Sequence, residues 1–242
     1  MPQSPVTITA AEVIDLRVPT SDQMLGSDPF HKAPDYSSAV LHLETDSDLR
    51  GVSVVFTIGA GTDWMCHGIR DLCQLVVGTR LDEFTSAPFQ LYRRLIDHHQ
   101  LRWLHDGVFR MAAGAVLNAM WDLWAKSLNQ PLWKLLVDLE PEFVADCIDW
   151  RNLGDALTRE EAIALLQARR AEVPQREAAM ATRGPKAYCT AGWLGLSDEE
   201  ILATIRKLQA EGFDAFKLKV GQDSALDVAR IRFMRDSIGL DS

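Results

Sequence analysis

Residues 213–221 read FDAFKLKVG. Strand alternation sets Phe213, Ala215, Lys217 and Lys219 on one face and Asp214, Phe216, Leu218 and Val220 on the other. The second face is apolar just where the first becomes a pair of lysines, and Gly221 closes the segment. The flanks predict helices. Upstream, Ser197 and Glu200 form a capping box, Ile201, Leu202, Ile205 and Leu208 make the apolar stripe, and Gly212 ends the helix. Downstream, a helix is expected from about Ser224 to Ile238. AYCTAGW, residues 187–193, supplies an earlier strand. Strand, helix, strand, helix in this order predicts a parallel βα array.

In such an array the helices cover one face of each strand. Lys217 and Lys219 then point to the opposite side, the interior of a barrel, at the C-terminal strand end where barrel active sites lie. Positions i and i+2 are about 6.7 Å apart. Two ammonium groups at that spacing repel by about 2.5 kcal/mol at an effective dielectric near 20, equivalent to about two pKa units. Such a lysine is suited to act as a neutral base. The competing reading is an exposed edge strand with solvated lysines, and K-x-K in isolation does not separate the two.

Residues 6–18 and 39–58 read as strands around a polar turn at Asp46-Ser47-Asp48, and SDQMLGSDPFHKAPDY between them is a long loop. Amphipathic helices are predicted over 62–77 and 83–97, with Pro88 interrupting the second. VFRMAAGAVLNAMWDLWAKSL, from 108, places Val108, Met111, Ala112, Ala115, Val116, Ala119, Met120 and Leu123 on one buried stripe. Trp121 and Trp124 read as core residues there, and Met111 and Met120 as core filler. Residues 143–150 are expected as a short strand, and 158–182 as a charged, alanine-rich helical excursion. The domains expected are an α+β cap over 1–140 with a loop at 20–37, an insertion over 141–186, and two βα units over 187–242.

The chain has 242 residues and a net charge of −9, which argues against nucleic acid or an anionic membrane as partner. No run approaches the roughly 18 apolar residues of a membrane span, and the N-terminus shows no signal-peptide pattern. Four cysteines without CxxC spacing read as reduced thiols in a cytoplasmic protein.

These pieces together resemble the enolase superfamily, mandelate racemase subgroup, and within it the L-fuconate dehydratase family. The resemblance is carried by PTS (19–21), GSDPFHKAPDYS (26–37), GVSVVFTIGAGT (51–62), AVLNAMWDLWAK (115–126), PLWKLLVDLEPE (131–142), CIDWR (147–151), GWLGLSDEE (192–200) and FKLKVG (216–221). It implies an α+β N-terminal capping domain followed by the first βα units of an incomplete (β/α)-barrel. It implies a hydro-lyase that removes the proton α to a sugar-acid carboxylate and releases water, giving a 2-keto-3-deoxy acid. By this resemblance Lys219 is the catalytic base and Lys217 contacts the substrate carboxylate. The long loop becomes a lid whose Gly26, Ser27, Asp28 and Tyr36 contact substrate. Mg²⁺ is the family's cofactor. Its acidic ligands, and the histidine that protonates the leaving hydroxyl, match nothing in these 242 residues, so no metal-binding residue is assigned.

The six histidines (His31, His42, His67, His98, His99, His105) all fall ahead of the βα units. His31 reads as a solvated loop residue or a substrate contact. His98 and His99, taken as adjacent helical residues, point apart and disfavour a shared metal. Two βα units cannot close a barrel of about eight. The sequence, ending at Leu240-Asp241-Ser242, therefore reads as truncated, inactive alone, without a specific Mg²⁺ site, and prone to association through its open strand edge. The partner implied is a small sugar acid, with a homo-oligomer left open. A non-catalytic or degenerate homologue, and a relative acting on a different sugar acid, are the alternatives.

Overall fold

The computed structural model describes residues 6–104 and 106–239. His105 and the terminal Leu240-Asp241-Ser242 lie outside them. The chain divides into two compact units, residues 6–16 with 37–176, and residues 17–36 with 177–239.

The first unit is an α+β cap. Strands β1 (Ile8–Leu16), β2 (Ser37–Thr45) and β3 (Arg50–Thr57) form an antiparallel meander in that order. Ile14, Val40 and Val54 share one row across it. The inward set of β2 is Ser37, Ala39, Leu41 and Leu43, the period-two burial expected of a sheet covered on one face. Helices α1 (Thr62–Cys73), α2 (Leu81–Ser86), α3 (Pro88–Ile96) and α4 (Val108–Ser127) supply the cover. Pro88 sits in the first turn of α3, where a missing N–H costs nothing, so the segment expected as one interrupted helix is two.

Helix α4 lies close against β3. The Val52 N–H donates to Asp122 at 2.7 Å, and the Ser53 hydroxyl donates to the Ala115 carbonyl at 2.7 Å. Gly51 permits this approach, because a Cβ there would stand 2.4 Å from the Ala119 carbonyl oxygen.

The buried face of α4 runs through Phe109, Ala112, Ala113, Val116, Ala119, Met120 and Leu123. Val108 and Met111, expected on it, are 42% and 46% exposed. At about 100° per residue, Met111 lies more than a quarter turn from the line joining Phe109, Val116 and Leu123. Trp121 and Trp124 pack against the core as expected, stacked on one another at 5.1 Å.

Helices α5 (Leu132–Asp138), α6 (Pro141–Asp146), α7 (Arg159–Arg169) and α8 (Val173–Thr182) follow. The short strand expected over 143–150 is absent. Its residues lie in the end of α6, an irregular turn over 147–149 and the start of a 3-10 turn at Trp150–Asn152. Phe143 and Val144 recur as Cys147 and Ile148 four residues on, a helical spacing, and the Trp150 indole donates to the Ala145 carbonyl at 2.9 Å.

In the second unit, β4 (Cys189–Gly192), α9 (Asp198–Ala210), β5 (Phe216–Leu218) and α10 (Ser224–Ile238) form the expected parallel array. The Ser197–Glu200 capping box is complete in both directions, and Gly212, at φ +94°, lies just past the end of α9. Ala191, Ile201, Ile205 and Met234 form a small core, with Phe216 and Leu218 packed against it. Val220 departs from expectation, being 43% exposed, because the strand ends at Leu218. Among the described residues, no helix is long and apolar enough to cross a membrane.

Candidate functional site at the strand ends

The site lies within the second unit, where β4 and β5 end side by side. The Lys219 N–H donates to the Gly192 carbonyl at 2.9 Å, which fixes the residue after each strand beside the other. Gly221, at φ +108°, then turns the chain away toward α10, as only glycine readily does. Asp223 caps that helix by accepting from the N–H groups of Ala225 and Leu226.

Lys217 and Lys219 both extend from the face opposite Phe216 and Leu218, but they meet different surroundings. Lys217 is exposed, with its ammonium 5.6 Å from the centroid of the Tyr188 ring. The Lys219 side chain is 21% exposed, its ammonium 5.5 Å from the centroid of Trp193 and 3.5 Å from Asp28 Oδ2.

The loop over them is held by its own chemistry. A 3-10 turn at Thr20–Gln23 opens it. The Thr20 hydroxyl donates to the Pro34 carbonyl and accepts from the Tyr36 N–H, both at 2.8 Å, pinning the loop base. Gly26 has φ +89°, and a Cβ there would lie 2.6 Å from the Tyr36 ring. Ser27 is fully buried: its hydroxyl donates to the Met24 carbonyl at 2.7 Å and accepts from the Gly195 N–H at 2.8 Å. Asp28 Oδ1 accepts from the N–H groups of Phe30 and His31 and lies 3.1 Å from His31 Nδ1. The His31 N–H holds the Asp28 carboxyl below its ordinary range, helped by the Phe30 N–H and the His31 ring and opposed by partial burial.

The loop thus brings the two segments chosen from sequence, 26–36 and 217–219, onto one spot. Within it, Gly26 and Ser27 shape and anchor the loop, while Asp28 and Tyr36 reach toward the strand ends. His31 turns back onto Asp28.

Sequence reasoning did not single out Trp193, read only as the last residue of a strand-like run; it directly follows β4, at the same C-terminal end of the parallel array where Lys219 was placed. His98 and His99 lie beyond the end of α3, and their rings stack at 4.9 Å instead of diverging as helical neighbours would.

The family model described as mandelate racemase / muconate lactonizing enzyme, N-terminal domain, matches residues 10–137. The chain belongs to this family of the enolase superfamily. It is 42% identical over 240 residues to mitochondrial enolase superfamily member 1 of Xenopus laevis, covering 97% of this chain and 54% of that one. It is 41% identical over 242 residues to L-galactonate dehydratase of Hypocrea jecorina, covering 98% and 54%. The crystal structure of human mitochondrial enolase superfamily member 1 superposes with TM-score 0.91 at 38% identity, over 98% of this chain and 55% of that one. L-talarate/galactarate dehydratase of Salmonella typhimurium LT2, liganded with Mg and L-lyxarohydroxamate, shares the fold at TM-score 0.66 and 16% identity, covering 98% of this chain and 50% of that one. The chain spans about half the length of the curated relatives it matches.

Mg²⁺ is the cofactor that the sequence resemblance implies. Mg²⁺ needs several oxygen ligands at about 2.1 Å in near-octahedral array. The carboxylate facing the site is Asp28, with Oδ1 engaged by the loop and Oδ2 turned to an ammonium group. The residues present at these strand ends do not fit Mg²⁺. One cluster of metal-competent side chains, Glu12, His42 and Glu44, occurs among the described residues, in the cap sheet, and Arg50 already pairs with Glu44 there at 2.8 Å.

Proposed function

We propose that the protein is a sugar-acid dehydratase in which Lys219 removes the proton α to the carboxylate. The observation that carries this reading is the partly sheltered Lys219 amino group, just past the C-terminal end of β5 and beneath the overlying loop. As the neutral amine, Lys219 Nζ takes the proton from C2. The electron pair of that C–H bond forms the C2–C3 double bond as the C3–O bond breaks, and the departing hydroxide takes a proton from solvent to leave as water. The enol then ketonises to the 2-keto-3-deoxy acid. Lys217, exposed beside it, binds the substrate carboxylate as a point charge. Asp28 Oδ2 and the Tyr36 phenol meet the hydroxyls of the chain, and Gly26 and Ser27 hold the loop that carries them.

For the substrate we propose L-fuconate. It is the 6-deoxy counterpart of L-galactonate, the substrate in the name of the relative from Hypocrea jecorina, and shares its stereochemistry along the hydroxylated carbons. The test is keto-acid formation by the intact native protein on a panel of L-fuconate, L-galactonate, galactarate and D-gluconate. Turnover of the two L-galacto acids above the others is expected. Turnover of none of the panel contradicts the reading, and preference for galactarate contradicts the substrate.

A further inference from the structure

We propose that Trp193 is a positioning residue for Lys219, holding its Nζ at the strand end and making that hold depend on the loop. The inference rests on Lys219 being the base. A lysine amine on its flexible stem sweeps a wide arc unless something restrains it. Here the restraint comes from the neighbouring strand. Because the Lys219 N–H is bonded to the Gly192 carbonyl, the next residue, Trp193, has a fixed offset from Lys219. Arg230 reinforces it from α10, donating to the carbonyls of Gly192 at 3.3 Å and Trp193 at 3.1 Å. With its backbone fixed, the indole presents a face 5.5 Å from the Lys219 ammonium, inside the roughly 6 Å range of a cation–π contact.

The same ring faces the loop. Tyr36 stands edge-on to Trp193, with centroids 5.9 Å apart and planes at 84°. One residue further, the Leu194 N–H donates to the Ser27 carbonyl at 3.3 Å, and the Gly195 N–H donates to its hydroxyl. Residues 192–195 therefore touch the base, the loop and α10. The contrast with Lys217 is informative: its aromatic partner, Tyr188, is 59% exposed.

The test uses the intact native protein with Trp193→Leu, Trp193→Phe and Tyr36→Leu, each checked for wild-type secondary structure and thermal unfolding. Two quantities are read: steady-state kinetics on L-fuconate, and labelling of Lys219 by an amine-reactive reagent, quantified by peptide mass spectrometry relative to Lys217. Trp193→Leu is expected to lower kcat about tenfold or more, as small misplacements of reacting groups do, with KM within about threefold. Its Lys219-to-Lys217 labelling ratio should at least double. Trp193→Phe, keeping a π face, should recover most of both, and Tyr36→Leu should shift the ratio the same way by less. An unmoved ratio in folded Trp193→Leu overturns the proposal, as does a change confined to KM or a Phe variant as impaired as Leu. Labelling needs no turnover. A shifted ratio in a protein that dehydrates no sugar acid would sink the functional reading, and with it the catalytic meaning of the contact, leaving only the restraint of Lys219 by Trp193.

Discussion

Asp28 has one carboxylate oxygen held by three donors inside its own loop and the other turned to Lys219. Its carboxyl is held below the ordinary range in the folded loop, so its stabilising contribution is complete above the unfolded value. That contribution is lost only as pH falls through the lower, folded value. The pH dependence of the Asp28 carboxyl carbon resonance should therefore have its acidic midpoint below the ordinary aspartate value of about 3.9, and a midpoint above that value would refute the arrangement. Ser27 makes a second residue-level prediction. Its buried hydroxyl serves the Met24 carbonyl and the Gly195 N–H, so Ser27→Ala leaves both without that partner. Thermal or denaturant unfolding should show a loss of about 1–3 kcal/mol, with KM for the sugar acid raised more than kcat is lowered. Burial pushes the Cys73 thiol up to about 12. Iodoacetamide at pH 8 should label it only after unfolding, in contrast to an exposed free thiol. These partners were invisible in sequence: GSDPFHK announces a polar loop, but not that Ser27 faces inward while Phe30, 91% exposed, faces out.

At the scale of elements, Gly51 is the tightest junction in the cap. Gly51→Ala would press a methyl group into the Ala119 carbonyl and toward Leu123, both on α4. Backbone cannot yield as a side-chain tip can, so a cost of about 1–3 kcal/mol is expected in denaturant unfolding. A change within about 0.3 kcal/mol would show that β3 and α4 are not in contact as described. The elements with strong local signals were legible: the meander from its alternation, α9 from Ser197–Glu200, and α10 to the residue from Ser224 to Ile238. Those that failed were short. PEFVADCIDW suits a strand by β-branched and aromatic content, yet its spacing repeats at four, and Pro141 opens a helix. Met111 failed because α4 is apolar nearly all round, so its composition does not single out which stripe turns inward.

For the whole molecule, the βα order and the paired lysines pointed to the architecture, and the family match and the 0.91 superposition bear it out. From residue pattern alone the candidate site was legible only as two separate segments, 26–36 and 217–219, which the family resemblance joined as lid and strand end. Their meeting at Trp193 is a tertiary contact across more than 150 residues of sequence, and no local pattern encodes it. The account depends most on Lys219 acting as the base. Its most direct test is exchange of the α-proton of L-fuconate in D₂O, followed by NMR, with the intact native protein and its Lys219→Ala variant. The account predicts that the wild type releases the α-proton, and that folded Lys219→Ala does so at least about 10²-fold more slowly, the minimum typical of a positioned base. Release within about tenfold of the wild type would contradict it.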